Sequence, residues 1–336
     1  VTGGAGFIGA NLCRALVAHP GVERVVVLDN LSTGAAANLD GVDVDLRVGS
    51  ILDPAAVADA VAGADSVVHL AARPSVPRSV ADPVASHEAN ATGTLRVLEA
   101  CRRNAVHVVT ASSSSVYGSV ADLPKHEDLA TRPQSPYAAS KLAAEAYTLA
   151  YGNTFGVPTL PLRFFNVYGP YQSSGHAYAA VIPAFIDAAL RGEPLAVQGD
   201  GHQSRDFTFV GTVVRVLTDA VLRRVSSPVP VNLAFGRRIP LHDLIGALAS
   251  LIGGPLAVQH GPARVGDVRH SQACDARLRA LFPTVLPIPL TDGLAQTVDW
   301  FRAQRLAGAL EPAPSPGPLE PAPSPGAPEP ALPAGR

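Results

Sequence analysis

Tyr137 and Lys141 are separated by Ala138-Ala-Ser140, and a phenol and an ammonium four residues apart share one face of a helix. A cation held beside a phenol favours the phenolate, so the pair is a candidate base for taking the proton of a hydroxyl. By itself this spacing is that of any two helix-surface residues, and two other features give it meaning. The chain opens with Thr2-Gly3-Gly4-Ala5-Gly6-Phe7-Ile8-Gly9, and a serine run, Ser112 to Ser115, closes an apolar segment ahead of Tyr137.

Gly3-x-x-Gly6-x-x-Gly9, set between a strand end and an apolar helix, supplies a tight turn, lets the backbone approach a pyrophosphate and aims a helix N-terminus at its charge. Asp29 ends the next apolar run, about 20 residues after the last glycine, where a carboxylate accepts hydrogen bonds from an adenosine ribose. The same carboxylate would repel a 2′-phosphate and no Arg follows it directly, which favours NAD over NADP.

These groups need a scaffold. A chain of 336 residues can bury a large doubly wound domain with a smaller appendage. The formal net charge of -2 and the lack of any basic run argue against nucleic acid and for small-molecule partners. Cys13, Cys101 and Cys274, odd in number, far apart and in apolar helical patterns, read as buried free thiols in a reducing cytoplasm. No apolar run reaches the roughly 18 residues of a membrane span, and no export signal is visible; a soluble, cytoplasmic protein without a metal is expected. The glycine turn follows only Val1 and Thr2, whereas a strand of about five residues normally precedes it, so a few N-terminal residues are expected to be missing.

Up to residue 165 short apolar runs alternate with helical ones, the mark of βαβ units around a parallel sheet. Strands are predicted at Arg24 to Asp29, Asp43 to Val48, Ser66 to Leu70, Val106 to Ser112 and Thr159 to Phe165, and a helix runs from Pro83 to Arg103 with Leu95, Val97 and Leu98 on its apolar face. This defines a Rossmann-like dinucleotide-binding domain over 1–165. Residues 166–306 are more broken, with elements at Val181 to Leu190, Leu195 to Val197, Phe207 to Val210 and Leu241 to Leu251, and read as a smaller irregular α/β substrate lobe with some return to the sheet. Over 307–336 the repeated Glu311-Pro-Ala-Pro-Ser-Pro-Gly317 and Glu320-Pro-Ala-Pro-Ser-Pro-Gly326 predict a disordered, polyproline-like tail. Asp53 before Pro54 reads as a helix cap, and His69 as a satisfied core histidine.

Taken in order, the glycine turn, Asp29-Asn30-Leu31, His69-Leu70-Ala71-Ala72, Asn90-Ala-Thr-Gly93-Thr94, Tyr137-x-x-x-Lys141 and Arg163-Phe-Phe-Asn166-Val-Tyr-Gly169-Pro170 resemble the motifs of the extended short-chain dehydrogenase/reductases that act on nucleotide sugars, in particular the UDP-hexose 4-epimerases. The resemblance spans Val1 to about Arg305. It implies Tyr137 as catalytic base, Lys141 as its activator and nicotinamide-ribose ligand, and Ser113 as partner of the sugar hydroxyl. NAD would be held by Gly3, Gly6, Phe7, Ile8, Asp29, Asn30, Ser50, Ile51, Leu70, Ala71, Ala72, Asn90, Ser112, Tyr137, Lys141 and Phe164. Ser50 replaces an Asp common in the family, so adenine readout is expected to be weaker.

The substrate positions that the resemblance implies are Ser75, Arg78, Ser113, Ser114, Tyr137, Asn166, Val181, Ala196, Gln198, Arg205, Arg264, Asp267 and Ser271. Arg205 and Arg264 suit a diphosphate. Ser271 stands where some members carry a bulky Tyr, leaving room for a 2-N-acetyl group. Ser114 and Ser115 occupy the positions of the Asp and Glu with which sugar 4,6-dehydratases remove water, and serine has no useful pKa for that task. The implied activity is therefore 4-epimerisation of a UDP-sugar through a 4-keto intermediate, with UDP-N-acetylglucosamine preferred to UDP-glucose or UDP-glucuronate. The alternatives are another nucleotide-sugar oxidoreductase, such as a dehydratase, or a non-catalytic dinucleotide-binding protein. A homodimer is implied through the Tyr137 helix and the one before it.

Overall fold

In the computed structural model, which describes residues 1–174, 179–262 and 269–308, a parallel sheet carries helices on both faces. The first half runs α1 (Phe7–Val17), β1 (Val26–Asp29), β2 (Asp45–Val48), α2 (Pro54–Val61), β3 (Ser66–His69), α3 (Val76–Ala81), α4 (Pro83–His87), α5 (Gly93–Asn104), β4 (His107–Ser113), α6 (Pro136–Phe155) and β5 (Thr159–Phe164). The second runs β6 (Asn166–Tyr168), α7 (Val181–Arg191), β7 (Leu195–Gln198), β8 (Ser204–Phe209), α8 (Val210–Arg223), β9 (Val231–Leu233), β10 (Arg238–Pro240), α9 (Leu241–Ile252), β11 (Val258–Gly261), α10 (Ala276–Leu281) and α11 (Leu290–Leu306). Arg264 and Asp267 lie outside the described residues, as does all of the predicted tail beyond Gly308.

β2 pairs with β1, and β3, β4, β5 and β9 follow one another, all parallel. Thr2 joins the two sets by bridging both Leu28 and His69. Side chains alternate across this sheet: Val68 and Val109 enter one core with α1 and α8, while Val67 and Val108 enter the other with α2 and α5. Both faces being covered, the strands read as continuous apolar runs, and every residue of β5 is buried. Beyond the sheet, β6 pairs with β8 and β8 with β10, while β7 pairs with β11.

Two local features differ from expectation. The helix predicted from Pro83 to Arg103 contains a π-turn at Glu88–Thr92, where the Asn90 side chain is drawn onto the Arg73 backbone, accepting from its N–H (2.7 Å) and donating to its C=O (3.2 Å). Cys274 is half-buried in a loop rather than in a helix, because its N–H donates to the Lys125 carbonyl (2.8 Å). Cys13 and Cys101 are buried and free as expected, and burial pushes their thiols up to about 11 and about 12. Asp53 caps α2 through Ala55 N (2.8 Å).

Helix α6 is fixed by a buried ion pair. Arg163 on β5 makes a two-pronged contact to Glu145 on α6 (2.9 and 2.7 Å), and Ser112 Oγ donates to the same carboxylate (2.7 Å). Removing one partner strands a buried charge, so Glu145→Gln should lower unfolding free energy in urea by about 3–5 kcal/mol. The half-exposed Arg302–Asp299 pair (3.4 Å) should change it by less than about 1 kcal/mol when Arg302 becomes Gln.

Candidate active site

The β-strand ends open onto a cavity of ≈ 850 Å³. Its floor is the turn before α1. The N-cap of that helix is Gly6, which makes no side-chain cap, so its first N–H groups are left for an anion. A methyl group on Gly9 would lie 2.2 Å from Gly3 O and 2.6 Å from Gly4 Cα, whereas on Gly6 its nearest neighbour would be Gly3 O at 3.3 Å. Packing within the protein therefore demands glycine at position 9 far more than at 6. Gly6 lines the cavity, and its missing side chain leaves space there for a ligand's backbone-hugging phosphate.

Asp29 closes the far side. Its two carboxylate oxygens accept from Ala5 N (2.9 Å) and Leu31 N (2.8 Å), which locks its orientation at the cavity wall. Ser50 also lines the cavity, its Oγ accepting from Leu52 N (3.1 Å), so its own proton is the group it can offer. Gly3, Phe7, Ile8, Asn30, Ile51, Leu70, Ala71, Ala72, Arg78, Ser112 and Phe164 share this wall. Asn90 sits behind it, 1% exposed, with its amide on Arg73 and on Ser140 Oγ (3.0 Å). A flat, anionic dinucleotide with a vicinal ribose diol fits this donor set.

At the sheet end of the cavity stand Tyr137 and Lys141, one turn apart on α6. The helix start is doubly capped: Ser135 Oγ accepts from Ala138 N (3.1 Å), and Ser79 Oγ, from α3, accepts from Tyr137 N (3.0 Å). Lys141 is 6% exposed, and its Nζ donates to the Ala111 carbonyl (2.8 Å). Burial pulls its pKa down to about 8. Burial pushes the Tyr137 phenol up, and the bond with the Ser113 hydroxyl pulls it back. Ser113 Oγ in turn accepts from Ser115 Oγ (2.9 Å) and Ser115 N (3.2 Å). With those lone pairs engaged, the Ser113 proton is the one aimed at the phenol.

A second cavity of ≈ 500 Å³ takes in Asn166, Val181, Ala196, Gln198 and Arg205. Arg205 Nη1 donates to the Ser204 and Arg269 carbonyls (3.1 and 3.2 Å). Ser271, half-buried, binds Ser204 O through its N–H (3.0 Å) beside that strand, outside the cavity lining. Ser75 caps α3 with φ at 96°, a strained backbone for a residue with a side chain. Residues the sequence reading missed include Arg73 and Thr33 on the first wall and Phe207, Gln203 and Tyr168 in the second. Thr33, four residues past Asp29, follows from the Asp29 strand end; the others come together only in three dimensions. Among the described residues, no group of three or more His, Cys, Asp or Glu could hold a metal, and no helix is long and apolar enough to cross a membrane.

Residues 1–234 match the family described as the NAD dependent epimerase/dehydratase family. The UDP-glucose 4-epimerase of Mycolicibacterium smegmatis is 36% identical over 314 residues, covering 90% of this chain and 97% of that protein. Two solved structures superpose closely. One is a UDP-N-acetylglucosamine 4-epimerase from Methanobrevibacter ruminantium in complex with UDP-N-acetylmuramic acid (TM-score 0.85, 34% identity, 90% and 97% of the two chains). The other is a dTDP-glucose 4,6-dehydratase from Streptomyces venezuelae with NAD bound (TM-score 0.82, 32% identity, 91% and 97%).

The two glycines separate fold from ligand. Gly6→Ala should keep the far-UV circular dichroism and melting temperature while raising the dinucleotide Kd at least about tenfold by calorimetry. Gly9→Ala should lower both affinity and melting temperature, because the turn itself must open.

Proposed function

The chain belongs to the NAD-dependent epimerase/dehydratase family, and we propose that within it this protein is a UDP-sugar 4-epimerase that binds NAD along the larger cavity and the nucleotide of the sugar in the smaller one. The observation that carries this is the constellation at the sheet end: Tyr137, Ser113 and Lys141 converge there, while the next two positions, Ser114 and Ser115, hold only hydroxyls. Dehydration across carbons 5 and 6 needs a second acid and a second base. Ser115 spends its proton on Ser113 instead.

NAD, when bound, would supply the acceptor and later the donor of the hydride. Tyr137 takes the 4-hydroxyl proton as the carbon is oxidised and gives it back when the 4-keto sugar, presenting its other face, is reduced. Ser113 donates a hydrogen bond to the oxygen on which charge changes. Lys141, buried and cationic, makes the phenolate cheaper than burial alone allows. Arg205 and the segments around Asn166 and Val181 hold the diphosphate and base, and Arg264, Asp267 and Ser271 complete the sugar side. UDP-N-acetylglucosamine is the preferred substrate: Ser271 is small, and the epimerase solved with UDP-N-acetylmuramic acid carries a 2-N-acetyl sugar. The homodimer and the cytoplasmic location belong to the same proposal.

Incubation with UDP-N-acetylglucosamine and no added cofactor should yield the 4-epimer with no net NADH; formation of a 4-keto-6-deoxy sugar would establish dehydration instead. Tyr137→Phe should lower kcat by about 10²–10⁴, and full activity in that variant would rule out the assigned base. The pH profile has a defined sign. Lys141 is charged below about pH 8 and neutral above it, so kcat/KM of the free enzyme should fall as pH rises through about 8, and Lys141→Met should show a lower rate without that limb.

A further inference from the structure

His69 ends β3 at 4% exposure, lines neither of the two cavities and takes no part in the chemistry above. Its two ring nitrogens are nevertheless both engaged, Nδ1 with Thr2 Oγ1 at 2.7 Å and Nε2 with Thr94 Oγ1 at 3.0 Å. The proton positions follow from counting. A threonine hydroxyl has one proton, and that of Thr94 goes to the Asn90 carbonyl (2.6 Å). Thr94 can only accept from His69, so Nε2 carries hydrogen. Nδ1 of the neutral ring is then bare and accepts from Thr2, whose Oγ1 accepts in turn from Ala71 N (3.3 Å). Burial, with Lys141 nearby as a second cause, pulls the imidazole down to about 3, which keeps it neutral.

A second run of bonds starts at Asn90. Its side-chain amide donates to Ser140 Oγ (3.0 Å), and Ser140 donates to the Tyr137 carbonyl (2.8 Å). Ala71 and Tyr137 both line the larger cavity. Two runs of bonds thus meet at Asn90: one leaves the cavity wall at Ala71 and passes through Thr2, His69 and Thr94 to the Asn90 carbonyl, and the other starts at the Asn90 side-chain amide and reaches the Tyr137 helix through Ser140.

We propose that His69 is a positioning residue: as the neutral Nε2–H tautomer it ties the glycine turn to the π-turn of Asn90, and so sets where the dinucleotide wall stands relative to Tyr137. This rests on Tyr137 being the acid–base group. The geometry explains why a ring with one donor and one acceptor on opposite edges is used where an apolar residue would fill the space: each neighbour is itself committed in a single direction. Reversing the tautomer would face Nδ1–H with the Thr2 proton and leave Nε2 without a donor, a cost borne entirely in the interior.

The experiment reads the ring directly and then its effect. In protein labelled with ¹⁵N-histidine, the resonance absent from His69→Gln should show the Nε2–H tautomer at neutral pH; an Nδ1–H or doubly protonated ring overturns the proposal. Thr94→Val should lower kcat about tenfold with KM for the sugar nucleotide unchanged, and Thr94→Ser should restore kcat to within about twofold. A Thr94→Val enzyme with a lower melting temperature but wild-type kcat assigns His69 to stability alone and overturns it. These outcomes are separable from the choice of reaction. If the enzyme dehydrates its sugar, the tautomer and the Thr94 response still decide the role of His69; if it epimerises with an Nδ1–H ring, only the positioning role fails.

Discussion

The inner stripe of α6 is polar. Tyr137, Lys141 and Glu145 follow at intervals of four, on the face that an ordinary helix of a doubly wound domain would give to leucine and valine. Everything in the catalytic arrangement depends on that stripe being held against β4 and β5 without the usual apolar contact. The Glu145–Arg163 pair, with Ser112 as third member, supplies the hold, and Lys141 adds its bond to Ala111. Desolvating such charges is expensive and is offset only by geometry this complete. The clamp lies one turn beyond the lysine, so its rigidity is delivered to the two groups proposed to do the chemistry.

Caps then fix the other end of the helix. Ser135 and Ser79 satisfy successive N–H groups at the start of α6, and Ser79 belongs to α3, which begins at the strained Ser75. The segment proposed for sugar recognition is thereby bonded to the backbone of Tyr137, the proposed base. The electrostatics follow from the same burial. Lys141 is cationic at neutral pH but near its titration, and burial pushes the Tyr137 phenol up.

Much of this was legible in the chain because local signals carry it. The glycine turn, Asp29 and the spacing of Tyr137 and Lys141 are short-range patterns whose structural meaning is nearly context-free, and the parallel strands announce themselves as apolar runs between helices. What could not be read is long-range or backbone-specific. Glu145 and Arg163 are ordinary charges until two elements meet. The π-turn at Asn90 has no residue signature, since its side chain bonds to the distant Arg73 backbone, and the Ala111 carbonyl that receives the Lys141 ammonium is met only in the fold. His69 was correctly placed in the core as a satisfied histidine, but the direction of its bonds needed the neighbours' coordinates.

Phe164 is the last residue of β5 and Phe165 follows it directly, yet the first lines the larger cavity and the second the smaller. Alternation along a strand makes two neighbours in sequence belong to two different binding surfaces, and among the described residues no side chain lines both. The last turn of a single buried strand is thus a watershed for mutation. Substitutions downstream of it change the smaller cavity and leave the dinucleotide wall as it is, whereas a one-residue insertion within β5 would exchange the two sides at once.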